Sequence, residues 1–207
     1  MNLDCIDYIE KEILVQYRQF DKGHDENHVR NVIKESVTIA ENYDVNIDMV
    51  YVIAAYHDVG LVVNREFHHI HSGEILMQDE MIKQWFNLEQ RIIMKEAIED
   101  HRASNTQPPR SIYGCIVADA DREIDSNRIL YRCIQYRLNK GYDQFNTIFE
   151  ESYQHMLNKY GENGYLQLWL DVFHQQLDRL RFALKDKEQL KKDGYKIYQE
   201  IKENMGL

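Results

Sequence analysis

Apolar residues recur along this chain at intervals of three and four, which is the spacing of amphipathic helices. Turns rich in glycine and proline are rare, since the chain has nine glycines and two prolines. The pattern predicts helices over residues 3–20, about 26–43, 46–58, 70–85, 87–101, 111–121, 142–159, 164–184 and 187–204. The fold class predicted from this pattern is all-α.

Residues at several helix starts match the preferences of N-terminal caps. Asp25 is suited to cap the second helix, and either Asn46 or Asp48 could cap the third. Asn87 with Gln90 has the spacing of a capping box. Gly60 follows the third helix and predicts its C-terminal cap.

The third helix carries a nearly continuous apolar run, residues 49–55, directly into an adjacent His57-Asp58 pair. Burying two ionisable side chains at a helix end costs free energy unless they are paired or bind a metal. A histidine that interacts with the helix dipole at a C-terminus is the simpler interpretation of the pair alone. The function therefore depends on what the rest of the chain brings to this helix end.

The other helices also bring metal-capable residues to buried positions. His28 lies in the first turn of the second helix, and His101 ends an apolar stripe. Two carboxylates, Asp119 and Asp121, close the helix that begins near residue 111. The set His28, His57, Asp58 and Asp121 offers nitrogen and oxygen ligands for one divalent ion. Such a mixed set suits six-coordinate Mn, Fe, Mg, Co or Ni, and suits zinc less well.

Composition narrows the classes of partner. With 207 residues, 43% hydrophobic, we expect one domain over 1–207, with a motif core at about 20–140 and C-terminal helices 141–207 packed on it. A net charge of −10 argues against binding polymeric nucleic acid. There is no apolar stretch of about 18 residues, so no membrane span is expected. Three cysteines without a CxxC motif and an N-terminus unlike a secretory signal predict a cytoplasmic protein, with a homodimer left open.

The ordered motifs Gly23-His24-Asp25-x-x-His28, His57-Asp58-Val59-Gly60, His101 and Asp119-Ala120-Asp121-Arg122 resemble the HD-domain superfamily of metal-dependent phosphohydrolases. Small stand-alone bacterial HD proteins are the most similar group, and the resemblance covers about residues 20–185. It implies a helical bundle around a buried metal site. It also implies hydrolysis of a phosphate ester or anhydride in a nucleotide or similar small phosphorylated metabolite. Asn31 and Glu123 depart from the usual Arg and Leu of that group.

The resemblance also implies roles for individual residues. It favours Asp121 over Asp119 as the fourth metal ligand, with Asp119 left open. Catalytic candidates are Asp58, His101 and Asp119; candidates for substrate binding are His24, His68, His69, Arg102, Arg122 and Lys22. Two alternatives stay open: a regulatory module that binds metal or nucleotide without turnover, and a di-iron oxygenase that would recruit ligands from His68, His69 and His101.

Overall fold

The structure, a computed structural model, describes residues 1–21, 23–105 and 107–206. The described residues form helices and connecting segments and no strand, so the all-α prediction is confirmed. None of the helices in these ranges is both long enough and apolar enough to cross a membrane. Lys22, a predicted substrate contact, lies outside the described residues.

The chain forms two compact units. The first contains Met1–Arg122 and Leu168–Leu170, and the second contains Glu123–Gln167 and Asp171–Leu207. The helices of the first unit are α1 Leu3–Tyr8, α2 Glu26–Ala40, α3 Ile47–Tyr56, α4 His68–Gln78, α5 Ile82–Trp85, α6 Leu88–Asp100 and α7 Ile112–Ala120. Those of the second are α8 Ser126–Asn139, α9 Phe145–Tyr160, α10 Asp171–Lys185 and α11 Lys187–Met205. A single domain over 1–207 stays a prediction.

Helix α3 lies at the centre of the first unit. Every residue from Met49 to Tyr56 is buried, as the continuous apolar run predicts. Helices α2, α6 and α7 pack directly against it. Burial on all sides explains why this helix has no polar face.

The predicted caps are confirmed in their geometry. The Asp25 side chain accepts from the backbone N–H of His28, and Asn46, rather than Asp48, caps α3. Asn87 and Gln90 form both hydrogen bonds of a capping box at the start of α6. These caps fix where α2 and α6 begin, and His28 lies in the first turn of α2.

Gly60 is not the C-cap glycine that the sequence predicted. Its φ is not positive, and His57 occupies the C-cap of α3 before a 3₁₀ helix, Val59–Val62. A Cβ on Gly60 would lie 2.2 Å from the carbonyl oxygen of His68 and 2.5 Å from the backbone nitrogen of Ser72. The glycine is therefore needed for the close approach of α4, not for a left-handed turn.

The predicted helix over 3–20 is one helical path with three hydrogen-bonding patterns. It begins as α1, continues as a π-helix over Ile9–Ile13 and ends as a 3₁₀ helix over Leu14–Gln19. The spacing of apolar residues cannot distinguish α-, π- and 3₁₀-helical segments this short, because over one or two turns the three forms place nearly the same residues on the buried face.

The predicted helix over 70–85 is wrong in one respect, since it is two helices. Asp79 has extended backbone, and its Oδ1 accepts from the N–H groups of Met81 and Ile82. Its Oδ2 accepts from the hydroxyls of Tyr8 and Tyr56, each at 2.6 Å. An aspartate that captures neighbouring N–H groups competes with helical hydrogen bonding, and tertiary contacts with two tyrosines stabilise the break.

Two predictions in the C-terminal part are also wrong. Helix α8, Ser126–Asn139, was not predicted, although Asp125 caps it and Ile134 and Leu138 lie in its buried face. Helix α10 begins at Asp171 rather than near 164. The N–H groups of Trp169 and Leu170 bind the carboxylate of Asp119, so they are not available to a helix there.

Candidate metal centre

Five helix ends of the first unit bring ionisable side chains to one place. His28 lies in the first turn of α2, and His68 is the first residue of α4. The C-cap positions of α3, α6 and α7 are His57, His101 and Asp121. A helix end lets the chain bend, so that neighbouring side chains can face one point, which a helix interior prevents.

One oxygen of Asp58 faces the ligands that the sequence grouped together. His57 Nε2 lies 3.2 Å and His28 Nε2 4.0 Å from Asp58 Oδ2. Asp121 Oδ1 lies 3.1 Å from His28 Nε2 and 3.8 Å from His57 Nε2. Candidate ligand atoms of His28, His57 and Asp58 all lie within 4.8 Å of one another. We call these four residues the first ligand group.

The other oxygen of Asp58 faces two more histidines. His68 Nε2 lies 3.2 Å and His101 Nε2 3.4 Å from Asp58 Oδ1, and the two nitrogens are 3.3 Å apart. Candidate ligand atoms of these three residues also lie within 4.8 Å of one another. We call Asp58, His68 and His101 the second ligand group; Asp58 belongs to both.

Backbone carbonyl groups select which imidazole nitrogen faces the centre. The Nδ1 atoms of His57, His68 and His101 lie 2.6 to 2.8 Å from the carbonyl oxygens three residues earlier in the chain. A carbonyl oxygen only accepts, so each Nδ1 carries a proton. In the neutral ring the Nε2 lone pair then points inward, as a metal ligand requires.

The buried imidazole nitrogens of this centre are better suited to binding a cation than to hydrogen bonding with one another. His57, Asp58 and His101 are at most 2% exposed. His28 Nε2 and His57 Nε2 are buried and form no aligned hydrogen bond with any described residue. Buried polar nitrogens without an aligned partner are rare because they cost free energy, and a metal ion would satisfy both. The donor set therefore fits a divalent ion.

The ionisation of these groups reflects their close packing. Burial disfavours charge on His57, but the carboxylates of Asp58 and Asp121 outweigh burial and raise the pKa of His57 to about 9. Burial alone would raise the pKa of Asp58, but His57, His101 and His68 hold that pKa well below its ordinary range. Burial lowers the pKa of His101 despite the neighbouring Asp58. The centre is therefore built around carboxylates that stay ionised.

Helix α4 is held against the turn that bears Asp58. The Ser72 hydroxyl accepts from the N–H of Gly60 at 2.9 Å, and Gly60 leaves room for the α4 backbone. Gly73, one residue later, packs α4 closely on Lys95 of α6. Ser72 was not predicted to have a role at the centre, although the motif His68-x-x-x-Ser72-Gly73 was a usable signal.

Two residues predicted for chemistry have structural partners. The carboxylate of Asp119 is fully buried and accepts from the N–H groups of Trp169 and Leu170. The Arg122 guanidinium donates to Asp121 Oδ2 at 2.9 Å and to the His101 carbonyl at 2.6 Å. The structure thus places Asp121, not Asp119, beside His28. The catalytic role of Asp119 and the substrate-binding role of Arg122 stay predictions.

The other candidates for substrate binding are spread around the centre. His24 Nδ1 lies 3.0 Å from Asp21 Oδ1. The His24 ring packs edge-on against the His28 ring, with centroids 6.0 Å apart. The ring of His69 is 5.5 Å from that of His68. Burial and the charges of His101, His68 and Arg102 lower the pKa of His69 to about 4. The Arg102 guanidinium forms no ion pair with a residue that the structure describes.

Residues 26–124 match the family model described as HD domain. This match is consistent with an HD-domain superfamily protein. Neither the curated proteins nor the solved structures gave a significant match. The match includes both ligand groups, but it leaves out His24 and the N-terminal helical segment.

Proposed function

We propose that this protein is a metal-dependent phosphohydrolase that cleaves a phosphate ester or anhydride of a nucleotide or similar small phosphorylated metabolite. The family match suggests activity of this type, and the buried His and Asp cluster could bind metal. The observation that carries the proposal is Asp58, whose two oxygens face two different sets of imidazole nitrogens.

The sequence predicted one divalent ion; we further propose two divalent ions in this centre, with Asp58 as the shared ligand. His28, His57 and Asp121 would complete one site, and His68 and His101 the other. Ions held there would supply an acidified water and Lewis acidity toward a phosphoryl oxygen. Manganese, iron, magnesium, cobalt and nickel all suit the nitrogen and oxygen ligands.

The remaining candidates are suited to substrate contact. Arg102 carries a guanidinium without an ion-pair partner among the described residues, so it is able to neutralise a phosphate. His69 stays neutral at pH 7 because burial lowers its pKa to about 4. A neutral imidazole accepts a proton or a hydrogen bond, which suits the approach of a water or a leaving group. A small metabolite in the cytoplasm, rather than polymeric nucleic acid, is the proposed substrate class.

The test combines metal counting with a substrate panel. Purified protein is stripped with a chelator, reloaded separately with Mn, Mg, Co or Ni, and assayed against nucleotides and simple phosphoesters. We expect chelation to abolish hydrolysis and at least one ion to restore it. If the metal-loaded protein hydrolyses no compound while one binds tightly, the regulatory module replaces this proposal.

The second ligand group also favours one other function. A di-iron oxygenase needs two adjacent ions, and Asp58, His68 and His101 supply a second site. Oxygen consumption by the iron-loaded protein, with no phosphate release from the panel, would select this function. Phosphate release with Mn or Mg under anaerobic conditions would exclude it as the main activity.

A further inference from the structure

Tyr17 lies in the 3₁₀ helix Leu14–Gln19, before the segment that matches the HD domain, yet its side chain reaches the metal centre. It is fully buried, and its ring centroid is 6.4 Å from that of His57. The hydroxyl contacts the backbone of the turn that carries Asp58.

The Tyr17 hydroxyl replaces a helical hydrogen bond. Its oxygen accepts from the N–H of Asp58 at 3.2 Å, and its proton is donated to the carbonyl of Ala55 at 2.9 Å. The Ala54 carbonyl, which a continuing helix would pair with the Asp58 N–H, is instead bound by His57 Nδ1 at 2.7 Å. Two side chains thus cap the last carbonyl groups of α3, and the chain can leave the helix at Asp58.

The backbone conformation of Asp58 departs from the helix, as these hydrogen bonds allow. Its φ of −115° and ψ of 1° lie in the bridge region, outside the helical range. In this conformation the carboxylate directs one oxygen to His57 and the other to His68.

We propose that Tyr17 is a positioning residue of the metal centre: its hydroxyl, inserted between the Asp58 N–H and the Ala55 carbonyl, holds the turn in which Asp58 faces both ligand groups. The inference rests on the proposed metal binding, and it extends the site to a segment outside the HD-domain match. It predicts that loss of one hydroxyl weakens metal binding without removing any ligand.

The test is Tyr17→Phe, with Tyr56→Phe as the matched control. Tyr56 is equally buried, but its hydroxyl donates to Asp79 and not to the ligand turn. Mn²⁺ affinity of the stripped proteins is measured by competition with a chelating dye. We expect Tyr17→Phe to weaken Mn²⁺ binding by about 10- to 100-fold, the range for residues that orient metal ligands. Tyr56→Phe is expected to bind Mn²⁺ as the wild type does.

A spectroscopic readout separates positioning from stability. Both variants are also folded with Co²⁺ present, and the visible absorption of the bound ion reports its ligand geometry whatever the stability of the stripped protein. A changed Co²⁺ spectrum in Tyr17→Phe alone supports the inference. Wild-type Mn²⁺ affinity or a wild-type Co²⁺ spectrum in Tyr17→Phe overturns it. Failure of the wild-type protein to bind either ion would instead overturn the proposed function.

Discussion

The two oxygens of Asp58 face ligand groups of different chemical character. The first group adds a second carboxylate, Asp121, to two imidazoles, whereas the second has two imidazoles and shares its one carboxylate. More negative charge at the first group favours tighter binding of a divalent ion there. The first site is therefore expected to fill at lower metal concentration than the second.

The origin of the two groups also differs. His28 and Asp121 are fixed by a helix start and a helix end, where local caps determine the geometry. His68 reaches Asp58 because Gly60 and Ser72 allow α4 to pack on the turn. Because α4 packs on this turn through Gly60 and Ser72, the second group is expected to be sensitive to substitution at either residue.

The largest expected effect is that of Asp58→Asn, because both ligand groups lose their shared carboxylate. We expect metal content at both sites to fall by at least about tenfold, with loss of hydrolysis. Asp119→Asn is the matched control, since Asp119 is as deeply buried but contacts backbone N–H groups. Metal analysis of both variants is the measurement. Wild-type metal content in Asp58→Asn would contradict the shared site.

Variants in one group at a time sharpen the comparison. His57→Ala and Asp121→Ala should each lower binding at the first site by at least about tenfold. His68→Ala should remove the second ion and leave about one equivalent bound, because the first group keeps all its ligands. Titration with Mn²⁺ and counting of bound equivalents distinguish these results. A loss of both ions in His68→Ala would show that the two sites do not fill independently.

The pH dependence should differ between the stripped and the loaded protein. The folded-state pKa of His57 is raised to about 9, above the ordinary value of about 6.5. Its contribution to the stability of stripped protein is therefore fully present below about pH 6.5 and is lost as the pH rises through 9. A metal displaces this proton, so Mn²⁺ affinity should rise over the same interval. Urea unfolding and calorimetry in buffers of different ionisation enthalpy measure the two effects.

The smallest effects are expected from the two arginines that flank the centre. Arg122→Gln removes the donors to Asp121 and the His101 carbonyl, so we expect several-fold weaker metal binding. Arg102→Gln should leave metal binding unchanged and raise KM, if Arg102 binds phosphate. Measurement of Mn²⁺ affinity and of KM on both variants provides a reciprocal control. A raised KM with normal metal affinity in Arg122→Gln would support its predicted role as a substrate contact instead.

Local sequence was sufficient to predict most of the helices and the residues of the first ligand group. The apolar run that ends at His57-Asp58 required burial, and the Asp25 cap fixed His28 in the first turn of α2. Helical period and capping depend on neighbouring residues, so a single sequence carries them. The ordered motifs then indicated the HD domain, which the family match confirms.

Longer-range contacts decided the rest. Asp79 interrupts a helix because the hydroxyls of two tyrosines, from α1 and α3, donate to its carboxylate. The carboxylate of Asp119 accepts from the backbone N–H groups of residues 169 and 170 instead of facing the metal centre. His68 was placed on the substrate side by sequence, but its distance to Asp58 depends on helix packing. Tyr17 had the spacing of an ordinary core residue. Its hydroxyl acts on Asp58 across 41 positions of the chain, and no local pattern encodes a contact at that separation.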